Sequence, residues 1–292
     1  MLHIIIHTLP YEMNALEQTM IQLKRNSKYL TPDQKVRIEV VLNANLVDWK
    51  QSKINLGFFA ENYNKIIRIN EDWAECILRI DTINEILGCN DLRRQTFRKT
   101  DAEYVMYLDT DVIFNDTLLA RIFFSINTIP EEYFILTPQI TRLWDTTWDK
   151  ISNEKFFNEE ASHHNYFSRD PYKSTWDNSD VSLKVIDGFK FAGWGTVIPT
   201  KLGKFIDIPN ALGPYGLDDT YIMFACDIMN KHNYNVKQYV IEGEIVCENN
   251  LFSLPYFKEF IILIDKKSEY TEQAHNNFNS ELNKFNERLI NR

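Results

Sequence analysis

Glycine is scarce in this chain, nine residues in 292, and none of them builds the G-x-G-x-x-G turn that cradles a dinucleotide after a first strand. That disfavours a Rossmann dehydrogenase. Cys76, Cys89, Cys226 and Cys247 are scattered, with no C-x-x-C pair and no Cys/His cluster of zinc spacing, and read as reduced thiols in a cytoplasmic protein. No run approaches the ~18 uninterrupted apolar residues of a membrane span. The opening "MLHIIIHTLP" lacks the basic start and long apolar core of a signal peptide, which leaves room only for peripheral contact with a membrane surface. Positive charge is in deficit as well. A net charge of −9 opposes non-specific binding to a phosphate backbone, so no nucleic-acid partner is expected.

What is present is a globular composition, 44% hydrophobic with 19 Phe and 14 Tyr, enough to bury a substantial core. The spacing predicts a strand over Leu2 to Thr8, a helix over Glu12 to Lys28 and a strand in "VRIEVVLNAN", a succession that suggests a parallel α/β sheet. "KIIRIN" reads as another short strand. Asp72 to Lys99 reads as mostly helical, interrupted near Gly88. Tyr104 to Leu108 is apolar on both faces and reads as a central strand. A helix (Leu118 to Ile126), a strand (Tyr133 to Thr137) and a last β-like run (Val236 to Val246) follow. Between about 142 and 187 lies a polar insert carrying Trp144, Trp148 and Trp176, of a kind that serves as a lid or binding region. Beyond residue 250, Phe278, Leu282, Phe285 and Leu289 recur at helical spacing and predict a C-terminal helical extension, 251–292, packed on a parent domain of 1–250.

The central strand ends in "LDTDVIF". Residues i and i+2 of a strand share a face, so Asp109 and Asp111 approach one site at the carboxyl edge of the sheet, where ligands of α/β proteins bind. Two adjacent carboxylates repel, and a divalent cation with hard oxygen ligands, Mn²⁺ or Mg²⁺, resolves the repulsion. A second acidic pair, Asp218 and Asp219 in "GLDDT", opens a helical run, where carboxylates are also ordinary N-terminal caps.

"LRRQTFRKTDAEYVMYLDTDVIF" resembles the segment of GT-A glycosyltransferases in which a helix leads into the strand carrying the D-x-D motif. It aligns without a gap with the inverting, family-2-like pattern, placing Arg93 on the family's arginine and Glu103-Tyr104 on its Glu-Tyr; Arg94 and Thr96 stand where the family has Asn and Gly. "GWGTVIPTKLGKFIDIPNALGPYGLDDTYIMFACDIM" is similar to the family's acceptor side. The resemblance implies a Rossmann-like, mostly parallel sheet flanked by helices. It also implies metal-dependent transfer of a sugar from a nucleoside diphosphate sugar, UDP-sugar favoured, to a hydroxyl of a glycan or other acceptor, with inversion.

Residue by residue, the resemblance makes Asp219 the catalytic base and Asp218 its acceptor-holding neighbour. Asp111 and Asp109 become the metal ligands, and Thr8, Leu9, Pro10, Asn43, Arg93, Asp109, Gly193 and Trp194 the donor contacts. Asn43 stands where the family often has an aspartate. His232, His275, Glu248 and Asn249 are candidates for a third metal ligand. Three other readings stay open on the residues: a retaining enzyme of the glycogenin-like group, a haloacid-dehalogenase-like phosphatase, and a non-catalytic carbohydrate-binding protein.

Overall fold

The computed structural model describes residues 1–43, 56–81, 88–110, 112–142, 182–191, 193–248 and 262–291. Strand β1 (Leu2–Thr8) is apolar on both sides: Leu2, Ile4 and Ile6 face one layer of helices and Ile5 the other. Such a strand is stable only when covered on both faces. Helix α1 (Met13–Asn26) buries Leu16, Met20 and Leu23 and returns the chain to β2 (Val36–Asn43), which pairs in parallel with β1. Then come α2 (Leu56–Ile67), β3 (Glu75–Asp81), α3 (Cys89–Lys99), β4 (Tyr104–Asp109), β5 (Val112–Phe114), α4 (Leu118–Thr128) and β6 (Phe134–Arg142). After β7 (Ser182–Ile186) and β8 (Thr196–Pro199) the chain forms α5 (Thr200–Ile206), α6 (Asp218–Lys231), β9 (Lys237–Glu248) and α7 (Ile262–Ile290).

Among the described residues these strands form one nine-stranded sheet in the order β3-β2-β1-β4-β8-β6-β9-β5, with β7 also on β9. β3, β2, β1 and β4 are mutually parallel, and β6 is parallel to β9; β5, β7 and β8 run against them. Helices α1, α2 and α4 pack one face, and α3, α5, α6 and α7 the other. This is the expected mostly parallel sheet flanked by helices. The helical tail is α7, whose Leu282, Phe285 and Leu289 join the second face. His232 and Asn286 bridge α6 to α7 at 2.8 Å. The three tryptophans of the polar insert and Asp111 lie outside the described residues.

Three expectations are corrected. "KIIRIN" is the end of α2 and a 3-10 turn, Arg68–Asn70, because Phe59, Tyr63 and Ile67 recur every four residues and all enter the core. The strand is instead β3, inside the stretch read as helical, where Cys76, Leu78 and Ile80 alternate onto the face covered by α1 and α2. The strand expected to stop before Pro138 continues through it. Opposite this proline β9 changes register, from Ile241 against Pro138 to Ile245 against Gln139, so the missing N–H falls at a bulge.

The bulge carries Glu244, which is fully buried and accepts hydrogen bonds from Arg121 Nε at 2.9 Å and from the Thr117 hydroxyl. Burial pushes its carboxyl up to about 7, against the pull of Arg121 and Thr117. Between about pH 4.5 and about pH 7 the folded chain therefore binds this proton more tightly than the unfolded chain, and stability falls as pH rises through that window. The loss is roughly 3 kcal/mol, from about 1.4 kcal/mol per unit. Glu244→Gln is expected to flatten this slope in urea unfolding measured across the window.

Candidate active site

Alternation along the strands decides which side chains meet at the carboxyl edge of the sheet. His7, Asn43 and Asp109 end β1, β2 and β4 on the face of Ile5, Val41 and Tyr107, which is the face covered by α3 and α6. His7 and Asp109 are direct partners in the β1–β4 register. The Asn43 amide nitrogen lies against His7 Nε2. An amide nitrogen can only donate, so Nε2 accepts and the imidazole proton resides on Nδ1, 3.8 Å from the Cys89 sulfur. Burial first, and then the charge of Arg93, lower the His7 pKa to about 4. The imidazole is uncharged at neutral pH. Burial likewise pushes the Cys89 thiol up to about 12, so that it is a neutral wall and not a nucleophile.

Thr8 points the other way, under α2, its hydroxyl 3.2 Å from that of Tyr63. The Tyr63 hydroxyl in turn donates to the Leu9 carbonyl at 2.9 Å, and the Leu9 N–H donates to the Glu12 carboxylate at 2.8 Å. Pro10 opens the short 3-10 turn that follows, and is buried. Leu9 is thus held through both its backbone groups, Thr8 through its hydroxyl, and Pro10 by its place at the start of the turn. Trp194 is 6% exposed and packs in the core of the α1–α2–α4 face.

Helix α3 begins against the loop that leads into α6. A Cβ on Gly88 would fall 1.8 Å from the Pro214 carbonyl oxygen, so only glycine allows this approach. Two residues on, Asn90 donates its backbone N–H to Pro214 O at 3.1 Å and its amide to Gly213 O at 3.2 Å and Gly216 O at 2.9 Å. One turn further along α3, Arg93 Nη1 meets Asp218 and Nη2 donates to the Gly193 carbonyl. The guanidinium lies 4.9 Å over the Tyr107 ring, and the Tyr107 hydroxyl donates to the Arg93 carbonyl at 3.2 Å. A side chain on Gly193 would displace the Arg93 guanidinium from its place against the Gly193 carbonyl.

The two acids of α6 stand differently. Asp218 is 6% exposed; burial raises its carboxyl pKa, Arg93 pulls it down, and Asp219 adds to the rise. For Arg93 burial, the largest single influence, acts to lower the pKa, but Asp218, Cys89, Asp219 and Tyr107 together outweigh it and hold the guanidinium charged. Asp219 is half-buried, with Oδ1 accepting the Thr220 N–H at 2.6 Å and the Thr220 hydroxyl at 3.2 Å.

Asp109 is half-buried at the end of β4, and its partner Asp111 lies outside the described residues. Both are carboxylates, the hard oxygen donors that suit Mg²⁺ or Mn²⁺. Among the described residues no group of three His, Cys, Asp or Glu side chains could hold a metal. His232 is at the far end of α6, about 20 Å along the helix from Asp219, and is engaged by Asn286. His275 is exposed on α7, the Glu248 side chain is not among those described, and Asn249 is outside the described residues. Tyr107, Asn90 and Cys89 were not expected at the site. Tyr107 had a readable signal, its position two residues before Asp109 on the same strand face.

No family model and no curated protein sequence matches the chain. Solved structures do. GalNAc-T7 with UDP, GalNAc and Mn²⁺ is similar at TM-score 0.55 and 11% identity, over 85% of this chain and 44% of that one. S. aureus TarS 1-349 with UDP-GlcNAc matches at TM-score 0.48 and 13% identity, over 85% of this chain and 58% of that one. TarS 1-349 with UDP matches at TM-score 0.48 and 15% identity, over 100% of this chain and 71% of that one. The chain spans less than two thirds of the GalNAc-T7 chain and of the TarS chain with UDP-GlcNAc. No helix among the described residues is long and apolar enough to cross a membrane. The architecture is the GT-A fold: a mixed α/β sheet flanked by helices and closed by a C-terminal helix.

Proposed function

We propose that the chain is a metal-dependent glycosyltransferase that moves a sugar from a nucleoside diphosphate sugar, UDP-sugar favoured, to a hydroxyl of a glycan or other acceptor, with inversion. One observation carries the reading: the carboxyl edge bearing Asp109 and the acidic start of α6 are joined through Arg93, so both halves of a transfer site belong to one rigid wall. The GT-A fold, and UDP with Mn²⁺ in GalNAc-T7, support the donor class.

In this reading the loop of Thr8, Leu9 and Pro10 lines the nucleotide, with Asn43 at the end of β2 facing base or ribose. Asn43 and the uncharged His7 beneath it offer neutral hydrogen-bond chemistry where an aspartate would offer charge. Asp111 and Asp109 would hold Mg²⁺ or Mn²⁺, which when bound neutralises charge on the departing diphosphate. Gly193 lets backbone approach the donor, and Trp194 fixes that turn from within the core. Asp219 accepts the proton of the acceptor hydroxyl as its oxygen forms the new bond to the anomeric carbon and the diphosphate leaves from the opposite side.

Asp111→Ala is expected to abolish metal-dependent binding of UDP or a UDP-sugar in a thermal-shift titration with Mn²⁺. Asp219→Asn is expected to keep that binding and to lower transfer by about 10²-fold or more, the usual contribution of a general base. Full transfer by Asp219→Asn would rule out its role as base and, with it, the inverting assignment.

A further inference from the structure

Arg93 is directed wholly at the protein. Its Nη1 takes Asp218, 125 residues away, its Nη2 takes the Gly193 carbonyl, 100 residues away, and its face covers Tyr107 of β4. An arginine that grips a diphosphate does so by presenting two parallel N–H groups; here each Nη already gives one N–H to Asp218 or to Gly193, in a side chain buried between β4 and α6. The segment it restrains is unusual. Leu217, between the loop and the acid pair, has φ of 60°, a left-handed conformation that leucine holds only when its surroundings impose it. Its carbonyl accepts the first helical N–H, from Tyr221, at 2.7 Å, so this conformation sets where α6 begins and where Asp219 projects.

We propose that Arg93 is a positioning residue: a clasp that holds the strained entry of α6 against β4 and the Gly193 turn, so that Asp219, and not Asp218, is presented to an acceptor. The presentation to an acceptor rests on reading Asp219 as the base; the clasp itself does not. Asp218 thereby leaves the acceptor site and becomes a structural anion. Arg93 becomes the link between donor and acceptor halves, and the donor contacts fall to Thr8, Leu9 and Pro10, to Asn43 at the end of β2, to Gly193 and to Asp109.

The test uses the full chain, with amide hydrogen exchange, UDP affinity in the presence of Mn²⁺, and sugar transfer measured on the same preparations. Arg93→Gln alone leaves Asp218 buried without its partner and is liable to unfold. The double variant Arg93→Gln/Asp218→Asn removes both charges together and keeps two side chains able to hydrogen-bond. In it, amides of residues 213–221 are expected to exchange at least about tenfold faster while those of β1, β2 and β4 are unchanged. UDP affinity stays within about threefold, and kcat falls about 10²-fold, the scale of a small misplacement of a reacting group. Arg93→Lys keeps the charge but cannot reach both Asp218 and Gly193, and is expected to share the faster exchange.

Unchanged exchange at 213–221 in both variants overturns the clasp. So does a tenfold or greater loss of UDP affinity with kcat at saturating donor intact, which would make Arg93 a donor ligand. If the wild-type chain transfers no sugar, or Asp219→Asn transfers normally, the reading of Asp219 falls separately, and the exchange measurement still decides the clasp.

Discussion

A buried positive charge is the constraint around which this site is built. Arg93 is 9% exposed and sits among Tyr107, Cys89 and the Gly193 carbonyl, a setting in which an unpaired guanidinium would be strongly unfavourable. Its compensation, Asp218, comes from the first turn of α6. Removing one partner of such a pair costs about 3–5 kcal/mol, whereas replacing both by apolar residues is often neutral. The pair therefore contributes little net stability, and its value is in register: α3 and α6 fit together in one arrangement, with Asn90 on the Gly213 and Gly216 carbonyls as the second fastening.

That arrangement dictates the chemistry of its surroundings. A cation this close disfavours a second one, and His7 is accordingly held neutral by burial and by Arg93. A neutral His7 can accept from Asn43, which fixes the amide that ends β2. An aspartate at position 43 would face the His7 ring and could not donate to it, so asparagine and a neutral histidine form one consistent solution. On the opposite face Thr8, Tyr63 and Leu9 make a chain of bonds that shapes the β1 loop without charge. Among the described side chains that end β1, β2 and β4 on this face, the negative charge is thus at Asp109, with His7 and Asn43 neutral beside it.

What could be read from the sequence were the elements whose signal is local. Tyr104 to Leu108, apolar on both faces, is a central strand because two helical layers must cover it; the α7 positions Leu282, Phe285 and Leu289 pack where their spacing places them. β3 was missed because an edge strand is only half covered, and its alternation of Cys76, Leu78 and Ile80 is weak beside the charged residues around it. "KIIRIN" misled because Ile66, Ile67 and Ile69 mimic a strand when cut off from Phe59 and Tyr63. The motifs at Asp109 and at Asp218-Asp219 were visible. The meeting of Arg93 with Asp218 across 125 residues was not, since no local pattern encodes a partner.

The two acids of α6 show how one fold divides like residues between unlike tasks. Both stand in the first turn of a helix, where the dipole favours either. Asp218 is turned inward and paired with Arg93, whose charge offsets part of the repulsion that Asp219 still exerts on it. Asp219, accepting the N–H and the hydroxyl of its own Thr220, stands beside it half-buried. For an acceptor hydroxyl to be deprotonated as it attacks, the base must be placed to within a fraction of an ångström relative to the donor's anomeric carbon. In the proposed transfer the edge bearing Asp109 and the start of α6 are held together through Arg93, Gly193 and Tyr107, with Asn90 fastening the loop before α6, so it is this joint, and not either acidic motif alone, that would set the distance between donor and base.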